Sequence, residues 1–365
     1  MAEKTMFQIP YEIQSFINAN LNNFVASLYI EETEVDVLKH LNQNLQKDFS
    51  YFKFDFSVKE IIRHDGFILY KLFLVKIPCN PDNDMLKGEF FLIKDVLRKI
   101  YFIISPNSKN YLDKAIHSFM EIYFYNRISR VYLTSKEIFQ ILDLLEKHLK
   151  KQILTKWCTG KRLFSDRPDT ISRWGDELIS FRECFDIANK EKMSINWIRV
   201  VSYDEQKNRK LKMDISRECN ISSNLSNIDE IYGLLNVVIQ KGEKDLELLK
   251  NKEIKEDRPA TPIVLEYKQG ILQDTEIKTK LIEKIEEYGK CNYSVIHGGN
   301  PHIYMYIKDS IDSSSFSIRS IGADKILVIP QLKSTYAALM RFIHFLTENF
   351  TEYETVSEIK HEIQN

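Results

Sequence analysis

Two acidic residues and a lysine lie close together in the C-terminal third of the chain. Asp257 precedes the apolar run 263–265, which Glu266, Tyr267 and Lys268 follow. Residues two apart share one face of a β-strand, so Glu266 and Lys268 are expected to project together. Two carboxylates and a lysine can hold Mg²⁺ and stabilise the charge that develops when a phosphodiester is attacked. The pattern predicts a catalytic site of Asp257, Glu266 and Lys268, with Asp257 and Glu266 as metal ligands.

The acidic residue, single spacer and lysine at 266–268 are similar to the third-strand signature of the PD-(D/E)xK nucleases. The resemblance is confined to residues 257–268, and the sequence resembles no family over a longer span. It implies Mg²⁺-dependent cleavage of a phosphodiester, and the helix and strands predicted after residue 268 suit such a core. The alternative is a strand that ends in solvated charges and has no catalytic role.

Two histidines flank a turn-rich sequence. His297 and His302 lie on either side of residues 298–301, whose Gly-Gly-Asn-Pro composition favours a tight turn. If the flanking strands form a hairpin, the two imidazoles are expected to face each other with their Cβ atoms ~5 Å apart. Two facing imidazoles can hold a metal ion, for which Asp309 or Asp312 would supply a third ligand.

Strand alternation extends this site along the chain. Tyr304, Tyr306 and Lys308 are expected on the face of His302, and Arg319 of the next strand is expected to point outward beside them. Aromatic rings stack on bases and cations neutralise phosphates, so such a face suits a nucleotide or a nucleic acid. The alternative is that the tyrosines are ordinary structural residues of a strand. The predicted ligand face comprises His297, His302, Tyr304, Tyr306, Lys308 and Arg319.

Cations and tryptophans are concentrated between residues 146 and 174. Residues 146–173 contain eight Lys or Arg against three Asp or Glu, in a chain whose formal net charge is -1. Cations interleaved with aromatic rings are typical of surfaces that contact a phosphate backbone. The alternative is that the lysines follow a helix C-terminus, where the dipole favours them, and that the tryptophans are core residues. The predicted nucleic-acid-binding residues are Lys156, Trp157, Lys161, Arg162, Arg167, Arg173 and Trp174.

Both helices and strands are needed to position these residues. Hydrophobic periodicity predicts a mixed α/β (α+β) fold of several domains, whose C-terminal unit is a mostly antiparallel sheet covered by helices. Thr134 and Glu137 form a capping box, which predicts a helix from residue 135. The predicted segments are an N-terminal α+β domain at 1–106, a central helical or mixed domain with the basic stretch at 107–203, a polar linker and helix at 204–257, and a C-terminal α/β domain at 258–365.

Further expectations concern individual segments. An opening helical stretch is predicted over residues 11–46, and residues 90–105 are compatible with one helix or with two strands. The polar residues 204–227 predict a boundary or a long loop. In the C-terminal unit, a helix over 336–349 is predicted, with Ser334 as its N-cap residue.

Composition narrows the class of protein. Of 365 residues, 44% are hydrophobic and 12% aromatic, which excludes a mainly disordered chain. Only 11 residues are glycine, about 3% against a usual ~7%, and the sequence has no GxxxxGK(S/T), GxGxxG, HExxH or GxSxG motif. Phosphate-binding loops and dinucleotide-binding folds depend on glycine, so nucleotide hydrolysis by a P-loop and dinucleotide redox chemistry are both disfavoured.

Cysteine usage and hydropathy bear on the compartment. The five cysteines are widely spaced and form no CxxC motif, which predicts reduced thiols and a cytoplasmic location. No apolar stretch reaches the ~20 residues that a membrane span requires, so no membrane partner is expected. Because the net charge is close to zero, any contact with a polyanion must come from a local patch.

These observations predict a cytoplasmic protein that associates with nucleic acid, and a Mg²⁺-dependent nuclease is the sharper form of that hypothesis. The alternative is a non-catalytic interaction or sensor subunit that docks onto a protein partner. The near-neutral charge and the absence of strong motifs favour the alternative, whereas the clustering of cations with aromatic rings favours nucleic acid. Abundant Lys, Ile and Asn are typical of AT-rich genes and point to a microbial or viral source.

Overall fold

The structure is a computed structural model in which two compact units are described. Unit 1 comprises residues 1–160, 170–190 and 195–243, and unit 2 comprises residues 161–169, 191–194 and 244–365. The residues whose structure is described are 9–20, 24–44, 52–64, 66–80, 84–124, 127–162, 164, 169–173, 178–203, 209–224, 233–236, 238–240, 243, 262–268, 270–289, 291–298, 302–311, 313–331, 334–353 and 355–358.

The first two thirds of the chain alternate short helices with strands. In chain order the elements are α1 (Tyr11–Asn20), β1 (Phe24–Glu31), α2 (Val37–Gln43), β2 (Phe52–His64), β3 (Phe67–Pro78), β4 (Leu86–Asp95), β5 (Ile100–Ser105), α3 (Lys109–Tyr111), a π-helical turn (Leu112–Ile116), α4 (His117–Tyr123), β6 (Ile128–Arg130), α5 (Ser135–Leu149), β7 (Leu154–Arg162), β8 (Asp169–Arg173), β9 (Ile179–Ser180), α6 (Phe181–Lys190), β10 (Met193–Tyr203), β11 (Arg209–Ser216) and β12 (Asn220–Ser223).

Among the described residues these strands form one sheet in the order β2-β3-β4-β5-β1-β12-β11-β10-β7-β8, with β6 beside β1 and β9 beside β7. β1 lies near the middle and pairs antiparallel with both neighbours, so that Ala26 is opposite Ile104 on one side and Ile221 on the other. Strands from the predicted segments 1–106 and 107–203 therefore share this sheet.

Aromatic side chains fill the core between this sheet and the helical residues 109–123. The rings of Phe119 and Tyr123 are stacked with their centroids 4.7 Å apart, and the ring of Phe56 contacts both. Aromatic pairs of this kind stabilise a core beyond the apolar area that they bury. The helix begins at Ser108, whose side chain accepts a hydrogen bond from the backbone N–H of Tyr111.

The capping box predicted before α5 is confirmed. The Thr134 hydroxyl accepts a hydrogen bond from the Glu137 backbone N–H at 3.4 Å, and the Glu137 carboxylate accepts one from the Thr134 backbone N–H at 2.7 Å. The helix then buries Ile138, Ile141 and Leu142 on one stripe, as its apolar spacing requires.

Two segment predictions for this part of the chain are wrong. The opening helix over 11–46 is interrupted by β1, a strand that is almost wholly buried and whose apolar residues have no helical period. The expected loop at 204–227 contains β11 and β12. Leu211, Met213 and Ile215 are buried on β11 and alternate with polar residues, a strand pattern that the surrounding Ser and Asn residues obscure. The ambiguous residues 90–105 form two strands, β4 and β5.

The C-terminal residues form a second antiparallel sheet. Its elements are β13 (Ile263–Glu266), α7 (Thr275–Glu287), β14 (Cys291–His297), β15 (Tyr304–Asp309), β16 (Ser315–Ile321), β17 (Lys325–Pro330), α8 (Tyr336–Asn349) and β18 (Thr355–Glu358). Among the described residues the strand order is β14-β15-β16-β17-β13-β18.

One face of this sheet packs against helices. Met305, Ile307 and Phe316 are buried there, and the ring of Phe316 lies 5.9 Å from that of Phe342 on α8. The predicted mixed α/β fold, with an antiparallel C-terminal sheet covered by helices, is therefore confirmed. In the described part of the chain, no helix has the length and apolar content needed to cross a bilayer.

The N-cap residue predicted for α8 is wrong by one position. Thr335 has an extended backbone, and its hydroxyl accepts a hydrogen bond from the Ala338 backbone N–H at 3.2 Å. The Ser334 hydroxyl instead donates to the Ser315 carbonyl at 2.7 Å. Ser334 and Thr335 both have a hydroxyl group that can cap a helix, so the sequence did not distinguish between them. In the structure the Ser334 hydroxyl bonds to β16, and Thr335 is the N-cap residue.

Candidate functional site

The predicted hairpin between β14 and β15 is present, but its register differs from the expected one. His297 lies opposite Tyr304, and an irregularity between Val295 and His297 leaves Ile296 as an extra residue on β14. His302 lies two positions before Tyr304, the first residue of β15. The expected pairing of His297 with His302 is therefore wrong, because the ladder ends before it reaches the second histidine.

Strand alternation gives β15 one core face and one outer face. Ile303, Met305 and Ile307 are buried, whereas Tyr306 and Lys308 are exposed and Tyr304 is partly exposed. The predicted alternation therefore agrees with the structure. On β16, Arg319 is opposite Tyr304 and Ser317 is opposite Tyr306. We call this surface the tyrosine face; it comprises His297, Tyr304, Tyr306, Lys308 and Arg319, together with Ser317, which is buried.

The tyrosine face contains a direct contact between a cation and an aromatic ring. The Arg319 guanidinium carbon lies 4.2 Å from the ring centroid of Tyr304. Hydrogen bonds from Arg319 and then from Ser317 stabilise the phenolate and lower the pKa of Tyr304. Ser317 also accepts a hydrogen bond from the Gln331 side-chain amide at 3.1 Å. The ring and the guanidinium are thus held together on an accessible surface.

Of the two predicted third metal ligands, Asp309 does not join the histidines. Asp309 is on the core face, is only 4% exposed, and pairs with Arg341 on α8 at 3.2 Å. Asp312 lies outside the described residues. Within the described ranges no group of three or more His, Cys, Asp or Glu side chains is arranged to hold a metal ion.

Of the predicted catalytic residues, Glu266 and Lys268 are described, and only Glu266 lies on a strand. β13 ends at Glu266, and the next residue, Tyr267, turns into the core and donates its backbone N–H to the Asp324 carbonyl at 2.8 Å. Lys268 is exposed in a bend. The Glu266 carboxylate instead lies 2.7 Å from the ammonium group of Lys325, the residue opposite it on β17. Lys268 thus lies two residues beyond the end of the strand, and the joint projection of Glu266 and Lys268 stays a prediction; Asp257 lies outside the described residues.

The predicted basic surface is only partly described. On β7, Lys156, Trp157 and Lys161 are partly exposed and Arg162 is exposed. Trp157 is half-buried. Arg162 forms ion pairs with Asp169 at 2.9 Å and Glu191 at 3.3 Å, which offset its charge. Arg167, Trp174 and the side chain of Arg173 lie outside the described part.

Unit 1 contains a polar cluster that the sequence analysis missed. The Tyr29 hydroxyl hydrogen-bonds to Nδ1 of His117, and Nε2 of His117 lies 3.1 Å from Oδ1 of Asn220. Asn220 donates through Nδ2 to Asp113 at 2.9 Å and accepts from Arg130 at 3.0 Å. Because Asn220 Oδ1 can only accept, the proton of His117 is on Nε2 and the Tyr29 hydroxyl donates to Nδ1.

Burial controls the protonation of this cluster. Desolvation, with the nearby Arg130, holds the pKa of His117 well below its usual value, so the imidazole is neutral. Desolvation raises the pKa of Asp113. A π-helical turn precedes His117, and such turns recur at functional sites. Both ring nitrogens are nevertheless occupied by protein groups, so the arrangement holds β1, β12 and α4 together and leaves no free lone pair for a substrate.

Only the i, i+4 spacing of Asp113 and His117 marked this cluster in the sequence. Asn220 is about a hundred positions further on, and pairing of β12 with β1 brings it to the histidine. Long-range strand pairing is invisible to local periodicity, so no sequence pattern could have assembled the cluster.

A second buried polar group lies on the same sheet. The Lys94 ammonium group is 2.8 Å from the Glu31 carboxylate, and the Tyr101 hydroxyl donates to the same carboxylate at 2.6 Å. The backbone of Val35 completes the group by donating to Glu31 and accepting from Lys94. Every charge is thus matched by hydrogen bonds, as a buried ion pair requires.

Comparison with known proteins yields no relative: no protein-family model matches the chain, and no curated protein matches it with significance.

Proposed function

We propose that the protein binds single-stranded nucleic acid on the tyrosine face of unit 2. The observation that carries the proposal is the register that sets Tyr304 and Tyr306 beside Lys308 and Arg319 on one accessible sheet face. Stacking of bases on aromatic rings, with cations on the phosphates, is the general mode by which proteins bind unpaired strands. The bases of a duplex are not free to stack in this way, so we expect a preference for single strands.

The spacing of the two rings favours an extended strand. Tyr304 and Tyr306 are two residues apart on one strand, which separates their Cα atoms by about 6.8 Å. That is about twice the 3.4 Å rise between stacked bases in a nucleic acid strand. Neighbouring bases must therefore separate to use both rings. The Arg319 guanidinium adds a third flat surface, since bases also stack on arginine planes.

The proposal does not extend to cleavage. Glu266 forms an ion pair with Lys325, and Lys268 lies beyond the end of β13. Cleavage through Asp257, Glu266, Lys268 and Mg²⁺ stays a prediction, and a cleavage assay with Mg²⁺ on the Lys268→Ala variant tests it.

We also propose a cytoplasmic setting for this activity. Support comes from the cysteines, all five of which are free thiols in the described structure. Reduced thiols are typical of the cytoplasm.

The proposal is tested by fluorescence anisotropy with a labelled single-stranded oligonucleotide of about ten nucleotides, within the site sizes usual for such surfaces. The Tyr304→Ala/Tyr306→Ala variant should bind at least about thirtyfold more weakly, because it loses two stacking rings and each stacked base contributes about 1–3 kcal/mol. Tyr11→Ala is the matched control, since Tyr11 is 77% exposed on α1. Equal affinity of the double variant and wild type would remove the proposal.

A further inference from the structure

β14 ends the C-terminal sheet, and no described strand pairs with its outer edge. Every residue from Asn292 to His297 is exposed. Tyr293, Val295 and Ile296 are 42%, 39% and 56% exposed, so three large apolar side chains lie within four positions of one free edge. A free edge of this kind presents unpaired backbone N–H and C=O groups that can accept another strand.

β14 also lacks the charges that usually protect an edge. From Cys291 to Ile296 its sequence contains no Lys, Arg, Asp or Glu. The strands at the other ends of the two sheet paths all contain Lys, Arg, Asp or Glu: five such positions in β2, both ends of β8, and Glu358 in β18. Charged edge residues oppose pairing between chains. Within the described strands, β14 is the sheet-ending strand without them.

We infer that two copies of this chain associate by antiparallel pairing of their β14 strands across a two-fold axis. When a strand pairs with a copy of itself, like charges on the two copies are brought close together and repel. Residues 291–296 of β14 carry no Lys, Arg, Asp or Glu, so this repulsion is absent. With the axis at Ser294, Tyr293 lies opposite the partner's Val295, and the partner's Tyr293 lies opposite Val295. Aromatic and β-branched residues form favourable cross-strand pairs. The strand is therefore complementary to itself.

The symmetry has a consequence for the tyrosine face. A two-fold axis that pairs two strands antiparallel is perpendicular to the sheet, so equivalent faces lie on the same side. Two tyrosine faces would then form one surface across the paired edges. This last step rests on the proposed function, whereas the pairing of the strands does not.

Size-exclusion chromatography with light scattering, without nucleic acid, tests the inference. The wild-type chain should have twice its 43.1 kDa mass at micromolar concentrations. Ile296→Glu should return it to the mass of one chain. Ile321→Glu is the matched control, since Ile321 is 44% exposed at the end of β16 and should leave the dimer intact.

Hydrogen–deuterium exchange of the wild type tests the pairing without relying on a variant that misfolds. Amides of β14 should lose protection on dilution, while those of β16 should not. A wild type with the mass of one chain overturns the inference, as does an Ile296→Glu variant that stays dimeric. A dimer that binds no oligonucleotide would remove the proposed function alone, and a monomer that binds one would remove the dimer alone.

Discussion

Arg319 and Tyr304 face each other on adjacent antiparallel strands, with the guanidinium carbon 4.2 Å from the ring centroid. Residues directly opposite in an antiparallel pair have neighbouring side chains, so the contact follows from the register of β15 and β16. A cation near the face of an aromatic ring is attracted by the quadrupole of the ring. The pair holds a flat ring and a phosphate-binding group side by side before any ligand arrives.

Replacing Arg319 with alanine should weaken oligonucleotide binding and reduce its salt dependence. Each lost phosphate contact lowers the slope of log affinity against log salt by about 0.7 for a single strand. Anisotropy titrations at several salt concentrations measure the slope, and Arg127→Ala in unit 1 serves as the exposed-arginine control. An unchanged slope in Arg319→Ala would mean that this guanidinium contacts no phosphate.

The buried Glu31–Lys94 pair should be much more sensitive to single than to double substitution. Lys94→Met leaves the Glu31 carboxylate buried without its cation, and we expect a loss of about 3–5 kcal/mol in unfolding free energy. Glu31→Gln/Lys94→Met should recover part of that loss. Urea denaturation of the four species forms a double-mutant cycle. Additive effects would show that the two side chains do not interact.

The contribution of the capping box before α5 to the unfolding free energy should also be measurable by urea denaturation. Thr134→Ala removes the hydroxyl that accepts from Glu137, and we expect a loss of about 1 kcal/mol in unfolding free energy. Thr134→Ser keeps that hydroxyl and should lie close to wild type. If the serine variant is as unstable as the alanine variant, packing of the threonine methyl group is responsible.

The neutral His117 predicts a loss of stability in mild acid. Its folded-state pKa is depressed, so below its ordinary value of about 6.5 the unfolded chain binds a proton that the folded chain does not. Its contribution is complete above that value and should fall by about 1.4 kcal/mol between pH 7.5 and 5.5.

The same measurement on variants isolates the histidine. His117→Gln should lack this part of the pH dependence, whatever its overall stability. Asp113 acts in the opposite direction, because its raised pKa lets the folded state bind a proton more readily as the pH falls. Asp113→Asn therefore serves as the second control. Identical pH profiles for wild type and His117→Gln would contradict the neutral, buried imidazole.

Local sequence patterns predicted the local features of this fold. The capping box at Thr134 and the two-residue alternation of β15 depend on residues within a few positions of each other, and both are present. β1 shows where such patterns fail. Its residues Phe24–Glu31 follow a helix and are apolar without a clear period, and only pairing with β5 and β12 makes them a strand.

The same difference between local patterns and long-range strand pairing applies to the candidate sites. Alternation correctly placed Tyr304, Tyr306 and Lys308 on one face, but the pairing of His297 depended on a bulge that the sequence did not indicate. Glu266 contacts Lys325 on a neighbouring strand, a partner that residue spacing did not indicate. The spacing of residues along the sequence could not predict contacts that depend on the register of the sheet.

Photochemical cross-linking can locate the bound strand on the protein residue by residue. A photoreactive single-stranded oligonucleotide is bound to the wild-type protein, irradiated and digested, and the modified peptides are identified by mass spectrometry. Binding on the tyrosine face predicts cross-links to Tyr304 and Tyr306 on β15 that are lost in excess unlabelled strand. Specific cross-links confined to β7, at Trp157 or Lys161, would contradict it, as would the absence of any specific cross-link.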